Sequence, residues 1–324
     1  MIWRILALLV GLLVLFDVGQ GMWRAPGGRR TPPPAAQPAS RPEVPSRAGL
    51  TQVPPASPPA KSSPCAPAPR FADAAARNAA SLAQAPWSVF GRGETGWEIY
   101  APLTAHEIAT VCAPDTAGFA EALARWQGGQ GLPPSGIMDE ASLDRLRLVW
   151  LRRRPFLADS AHGCPPPPAP EQLAPARPDE GYRRKPVELR ADVLAAYRAL
   201  AAAARAASPA VAADPELLTI FSGYRDPATE RARCADGGCG SVARASCSAH
   251  RTGTAMDLYL GAAPGFPPES SADANRLHQS RTPAYRWLVS NAGRFGFVNY
   301  PFEPWHWEWA GRAVDASPTP PPAR

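Results

Sequence analysis

Apolar residues recur along this chain in three rhythms, and each rhythm predicts a different kind of segment. From Ile5 to Phe16 they run without a break. Phe119, Ala122, Leu123 and Trp126 return at helical spacing, Gly128–Gly131 stops that helix, and Asp139–Trp150 begins another. Upstream, Thr104 with Glu107 three residues later has the form of a capping box and predicts that a short helix opens at Thr104. Residues 71–157 therefore read as a small helical domain. In residues 186–312 the rhythm alternates between periods. Leu189, Val193, Leu194, Tyr197 and Leu200 mark one buried stripe of a helix over Val187–Ala207, whereas Leu217–Ser222, bounded by Pro215 and Gly223, reads as a strand. Thr254–Leu260 is a second strand, with Met256, Leu258 and Leu260 on one side and Asp257 and Tyr259 on the other. Thr282 and Pro283 open a helix through Asn291, Gly293 and Gly296 end it, and Phe295–Phe302 and Trp305–Trp309 follow as the last strands. The order predicts an α+β fold, an antiparallel sheet flanked by helices, preceded by the small all-α domain.

Composition changes this picture at the joints. Of the 41 prolines, 25 fall in residues 22–70, 158–185 and 313–324, so these read as a linker, a second linker and a disordered tail. Gly163–Arg177 in particular predicts an extended spacer that does not pack. A hydrophobic fraction of 45% excludes wholesale disorder. The net charge of +6 comes from 34 basic residues, of which only Lys61 and Lys185 are lysines. The arginines are spread along the chain without an aromatic-interleaved block, which argues against a nucleic-acid partner.

The opening segment, with Arg4, the apolar run and then Asp17, has the layout of a secretory signal, so residues 1–21 are expected to be a signal peptide or a membrane anchor. The uninterrupted run is short of the roughly 20 residues of a bilayer span, although counting Ile2–Val18 extends it towards an uncleaved anchor. Export to a periplasm or cell envelope makes the six cysteines candidates for disulfides. Cys65, Cys112 and Cys164 precede the second block while Cys234, Cys239 and Cys247 lie within it, so full pairing requires at least one bridge between the halves. Three clustered thiols at irregular spacing match a structural zinc site poorly. His106, His162 and His278 lack a partner pattern and carry no chemistry in this reading.

Three segments place unusual polar residues inside otherwise hydrophobic elements: Ser222–Asp226, Ser248–Asp257 and Glu303–Trp309. Two histidines and a carboxylate suffice for a catalytic zinc site that leaves its fourth position open, and His250, Asp257 and His306 supply them. Seven residues separate His250 from Asp257, an offset that puts them on opposite faces of a straight strand, so the chain must turn at Arg251-Thr252-Gly253. The same parity applies to Glu303 and His306, with Pro304 marking the bend. Glu303 is then a general base beside the metal. Arg225, leaving a strand at a Gly-Tyr turn, is a cation for a substrate carboxylate or a developing oxyanion. Trp305, Trp307 and Trp309 alternate as a core-facing strand would.

The succession Ser-Gly-Tyr-Arg, then Ser-x-His with Asp seven residues after the His, then Glu-Pro-Trp-His resembles the zinc D-alanyl-D-alanine carboxypeptidase family, which is related to D-Ala-D-Ala dipeptidases and to the hedgehog signalling domain. The resemblance covers Pro186–Arg312. It implies His250, Asp257 and His306 as Zn2+ ligands, Glu303 as base, Arg225 as the substrate-orienting or oxyanion-stabilising cation, and Ser248 as a serine near the substrate carboxylate. Two features depart from it. Glu230 stands where many relatives place glutamine, which bears on how a substrate carboxylate is received, and Arg231–Cys247 is rich in cysteine and glycine. Glu303 argues against a hedgehog-like domain without hydrolysis. Separately, FAEALARWQGGQGLPPSGIMDEASLDRL, Phe119–Leu146, resembles the second half of a bacterial peptidoglycan-binding repeat, while the preceding half departs from it; the periodicity of Trp126 is explained by a core position.

The expected function is removal of the terminal D-Ala of peptidoglycan stem peptides. The alternatives that the residues leave open are a wall endopeptidase, a D-Ala-D-Ala dipeptidase, and a non-catalytic zinc protein that binds the cell wall. Membrane contact is expected only through the N-terminal segment, and no oligomeric state is implied.

Overall fold

The computed structural model describes residues 65, 68–88, 90–91, 93–237 and 247–314, all of which fall within one compact unit, Ala60–Arg324. The apolar N-terminal segment, most of the first proline-rich stretch, Cys239 and most of the C-terminal tail lie outside the described residues. Among the described residues no helix is long and apolar enough to cross a membrane.

The first block contains α1 (Ala72–Ser81), a minimal strand pair β1 (Pro86–Trp87) and β2 (Glu94–Thr95), then α2 (Ala101–Glu107), α3 (Ala117–Gly129), α4 (Glu140–Arg152) and α5 (Pro155–Asp159). Thr116 caps α3 by accepting from the Phe119 amide at 3.3 Å, and Asp139 caps α4 by accepting from Ser142 at 2.8 Å. Trp126 is buried, in keeping with a core position. The capping box expected at Thr104 does not form. Pro102 occupies the first turn, where its missing N–H costs nothing, so α2 begins three residues earlier and Thr104 lies buried inside it.

The second block begins earlier than the helical stripe suggests. Strand β3 (Leu173–Pro175) pairs antiparallel with β4 (Glu188–Arg190), so the expected spacer packs, and the helix predicted from Val187 starts at Ala191 instead. Proline is tolerated in such a two-stranded edge because only one side of the strand needs its donors. Next come α6 (Ala191–Ala207), α7 (Pro209–Ala213), β5 (Ile220–Ser222), α8 (Pro227–Gly237), β6 (Ala255–Leu258), α9 (Asp273–Ser280), α10 (Pro283–Asn291), β7 (Phe297–Asn299) and β8 (His306–Trp309). The main sheet has the order β5-β6-β8-β7, antiparallel throughout, which is the α+β arrangement the periodicities predict.

One apolar core runs through both blocks, joining Trp97, Phe119 and Leu143 of the first to Leu194, Leu258, Leu288 and Trp307 of the second. A buried polar cluster ties them as well. Arg276 on α9 is fully enclosed, ion-paired with Glu94, 2.5 Å from the Tyr100 hydroxyl and donating to the Phe302 carbonyl at 2.7 Å. An enclosed guanidinium persists only when its donors are used in this way. Disulfides link Cys65 to Cys112 and Cys164 to Cys247, the second being the bridge between halves that cysteine parity requires. Cys234 is also disulfide-bonded.

Candidate metal centre and active-site cleft

Pairing of β6 with β8 sets Asp257 directly opposite His306, so two side chains 49 residues apart meet as cross-strand neighbours. His250 arrives from the 3-10 turn Ala249–Thr252, in which the Ser248 hydroxyl accepts from the His250 amide at 3.3 Å. Gly253 then reverses the chain with φ of +69°, a conformation that glycine adopts without strain. This is the turn that the parity of His250 and Asp257 demands. Glu303 sits in a second turn, in which its carbonyl accepts from the His306 amide at 3.0 Å.

The three side chains are buried and offer ligand atoms that all lie within 4.8 Å of one another. His250 Nε2 is 3.1 Å from Asp257 Oδ2, and His306 Nδ1 is 2.9 Å from Asp257 Oδ1. Each imidazole is anchored through its other nitrogen. His250 Nδ1 donates to the Gly223 carbonyl at 2.7 Å, and His306 Nε2 lies 3.3 Å from Glu308 Oε1. Gly223 has to be glycine, since a Cβ there would meet the Glu188 carbonyl oxygen at 2.4 Å. Glu303, half-buried, places Oε2 3.9 Å from His306 Nδ1 without joining the cluster. All three residues line a cleft of about 830 Å³, together with Arg225 and Ser248. Arg225 Nη1 donates to Ser248 Oγ at 3.1 Å and its backbone amide to the His250 carbonyl at 3.1 Å.

A family model described as VanY, D-alanyl-D-alanine carboxypeptidase, matches residues 186–312. Those residues are a VanY domain. No curated protein and no solved structure matches the chain. VanY enzymes are zinc carboxypeptidases, and the donor set here fits that ion. Two imidazoles and one carboxylate are a catalytic zinc set, and their ligand atoms, all within 4.8 Å of one another, are near enough for one ion to bridge. The anchored remote nitrogens are the outer contacts that zinc-binding histidines use to fix tautomer and ring orientation. His250, Asp257 and His306 would hold the ion.

Electrostatics in the VanY site follow from this crowding. Burial disfavours an ionised Asp257, but His250 and His306 hold its carboxyl well below the usual range. Burial also disfavours a charged His306, yet hydrogen bonds to Asp257 and Glu308 outweigh it and push the imidazole up to about 10. Glu303 is shifted upward, mainly by burial. Zinc must displace the proton on His306 throughout the neutral range, because that range lies below the raised pKa. Affinity should accordingly rise about tenfold per pH unit between pH 6.5 and 8.5 for one displaced proton. Chelator-competition titrations at three pH values check this, and a flat profile would contradict it.

Three residues that support the site are not among the ligands or catalytic groups expected from the sequence. Glu230 spends both carboxylate oxygens within the protein, accepting from the Ser248 amide and pairing with Arg251 Nη1 at 2.7 Å, so it braces the His250 turn from both sides. Glu308 shares the His306 face of β8, and the alternation of Trp305, Trp307 and Trp309 on the other face is the signal that reveals it. Arg154 has none, since Arg152-Arg153-Arg154 reads as the solvated end of a helix.

Proposed function

We propose that this protein is a zinc D-alanyl-D-alanine carboxypeptidase that acts outside the cytoplasm on peptidoglycan stem peptides and releases one terminal D-Ala. The observation that carries the reading is the His250–Asp257–His306 cluster with a separate carboxylate, Glu303, beside it in the same cleft. When bound, zinc supplies Lewis acidity that makes water nucleophilic at neutral pH and polarises an amide carbonyl. Glu303 takes the proton of the attacking water at its carboxylate and returns it to the leaving amine nitrogen. A carboxyl shifted upward by burial suits both halves of that transfer, since it is a better base than an exposed glutamate and a competent acid afterwards.

Arg225 receives the C-terminal carboxylate of the peptide. Ser248 Oγ orients its guanidinium, and Ser248 adds a hydroxyl to the same corner of the cleft. A volume of about 830 Å³ lies towards the upper end of small-ligand sites, which favours a peptide longer than the isolated dipeptide. The two described disulfides and the family both point to an extracytoplasmic location. Within it, the periplasm or envelope, with residues 1–21 as signal or anchor, is the reading we favour.

Mass spectrometry of a pentapeptide ending in D-Ala-D-Ala, incubated with the protein, should show chelator-sensitive loss of a single alanine. The C-terminally amidated pentapeptide should turn over at least about tenfold more slowly, because Arg225 then loses a charged partner. Loss of the dipeptide would reassign the chain to dipeptidase chemistry. An untouched pentapeptide alongside cleaved cross-linked peptides would indicate an endopeptidase, and zinc-loaded protein that cleaves neither would leave wall binding alone.

A further inference from the structure

The VanY match begins at residue 186, but one wall of the metal centre is built from residues that precede it. Glu308, buried on β8, touches His306 Nε2 with one carboxylate oxygen. Its remaining capacity is filled from the junction of α4 and α5. Arg154 Nε donates to Oε1 at 2.9 Å, Arg154 Nη2 forms a second, shorter bond to the same oxygen, and the Phe156 amide donates to Oε2 at 3.1 Å. The Arg154 guanidinium also lies 3.9 Å over the Tyr300 ring, on the turn that carries Glu303. Its side chain is only 10% exposed. Just beyond α5, the Cys164–Cys247 disulfide fixes the same segment to the residue next to Ser248. The stretch from Arg154 to Cys164 is thus fastened at one end to β8 and at the other to the His250 turn.

We propose that Arg154 is a positioning residue of the zinc site: by gripping Glu308 it holds that carboxylate on His306 Nε2 and keeps Nδ1 turned towards Asp257, so the helical block, and not the VanY domain alone, sets the metal affinity. The inference rests on the zinc reading above. A carboxylate behind a zinc-binding histidine fixes which nitrogen carries the proton and where the ring points, and loss of such a contact typically costs 10–100-fold in metal affinity. Glu308 can do this only if it stays in place. An arginine fork with two donors on one oxygen and an amide on the other defines its position in a way that a single ammonium does not.

Removing the charge outright would leave the buried Glu308 without its arginine counter-charge, a change that itself threatens the fold. The informative variant is therefore Arg154→Lys, which retains the charge and loses the fork. In the full-length protein, zinc affinity measured by chelator competition should fall about tenfold for Arg154→Lys. At saturating zinc its KM for the pentapeptide should match the wild type. Arg153→Ala serves as the control for a merely structural role. Arg153 pairs with Glu107 in the same helical block and does not bond to any of the metal-site residues, so this variant should lose thermal stability and keep wild-type zinc affinity. Unchanged zinc affinity in Arg154→Lys would overturn the inference alone, and all the more so if KM rose, since Arg154 would then be meeting substrate. Equal losses of affinity in Arg153→Ala and Arg154→Lys would overturn it too, by showing a general effect of loosening the block. Wild-type protein that takes up no zinc would overturn both this inference and the functional reading beneath it.

Discussion

Glu303→Gln is expected to load zinc like the wild type and to lose peptide hydrolysis by about 10²–10⁴-fold, the range associated with a positioned general acid–base group. The substitution changes almost nothing but the ability to take a proton. Glutamine has the same shape, and the Glu303 carboxylate stands off from the cluster, its nearest contact there being 3.9 Å from His306. The backbone that carries it is held independently of the side chain. Its amide donates to the Tyr300 carbonyl at 2.9 Å, its carbonyl accepts from Asn299 Nδ2 at 3.2 Å, and the preceding Phe302 carbonyl is held by Arg276. The turn should therefore survive, and the defect should appear in kcat rather than in metal content or KM. Metal analysis and steady-state kinetics on one preparation decide the matter; full turnover in this variant would remove Glu303 as the base.

His306→Ala should produce the complementary phenotype, with zinc affinity falling by more than the roughly 100-fold upper range seen when only an outer contact of a ligand is lost. One of three donors disappears, and Asp257 loses one of the two imidazoles that keep it ionised in a buried position. Activity falls with the metal. Glu308 keeps Arg154 and the Phe156 amide, so its charge remains compensated and the strand is not left with a bare buried carboxylate. The variant should still fold, with near-wild-type far-ultraviolet circular dichroism and little bound zinc after dialysis. Retained zinc would place the metal elsewhere.

How much of this was legible in the sequence differs between the metal cluster and its supports. His250, Asp257 and His306 stand out because polar residues interrupt hydrophobic strands, and parity alone requires the turns at Gly253 and Pro304. Strands β6 and β8 and helix α10 carry ordinary alternation or capping, and they appear where the pattern puts them. Helix α9 was invisible for a physical reason. Its buried positions are Asn275, Arg276, Gln279 and Ser280, polar residues buried only because specific partners receive them, from the nearby Leu277 and Pro268 carbonyls to Glu94 and Tyr100 far along the chain. The same holds for Arg154, whose partner lies 154 residues away. The packed strand within the second proline-rich stretch was missed because proline content reports backbone restriction, not whether a neighbour is waiting at position 188.

The strand order has a consequence for how the enzyme is made. Strand β8 is the latest in the chain of the described strands, yet it lies inside the sheet, between β6 and β7, and β7 has no other strand partner. Until β8 enters, β6 and β7 each present an open edge of unpaired backbone groups, the kind of surface on which chains stick to one another. The strand that closes that gap also delivers His306 and Glu308. Completion of the sheet and assembly of the metal centre thus both require β8 to pair with β6, a contact between residues 49 apart in the chain, and contacts of such separation form slowly. A nascent chain that stalls before that strand should have neither a closed sheet nor a catalytic site, and aggregation rather than residual activity should be its signature.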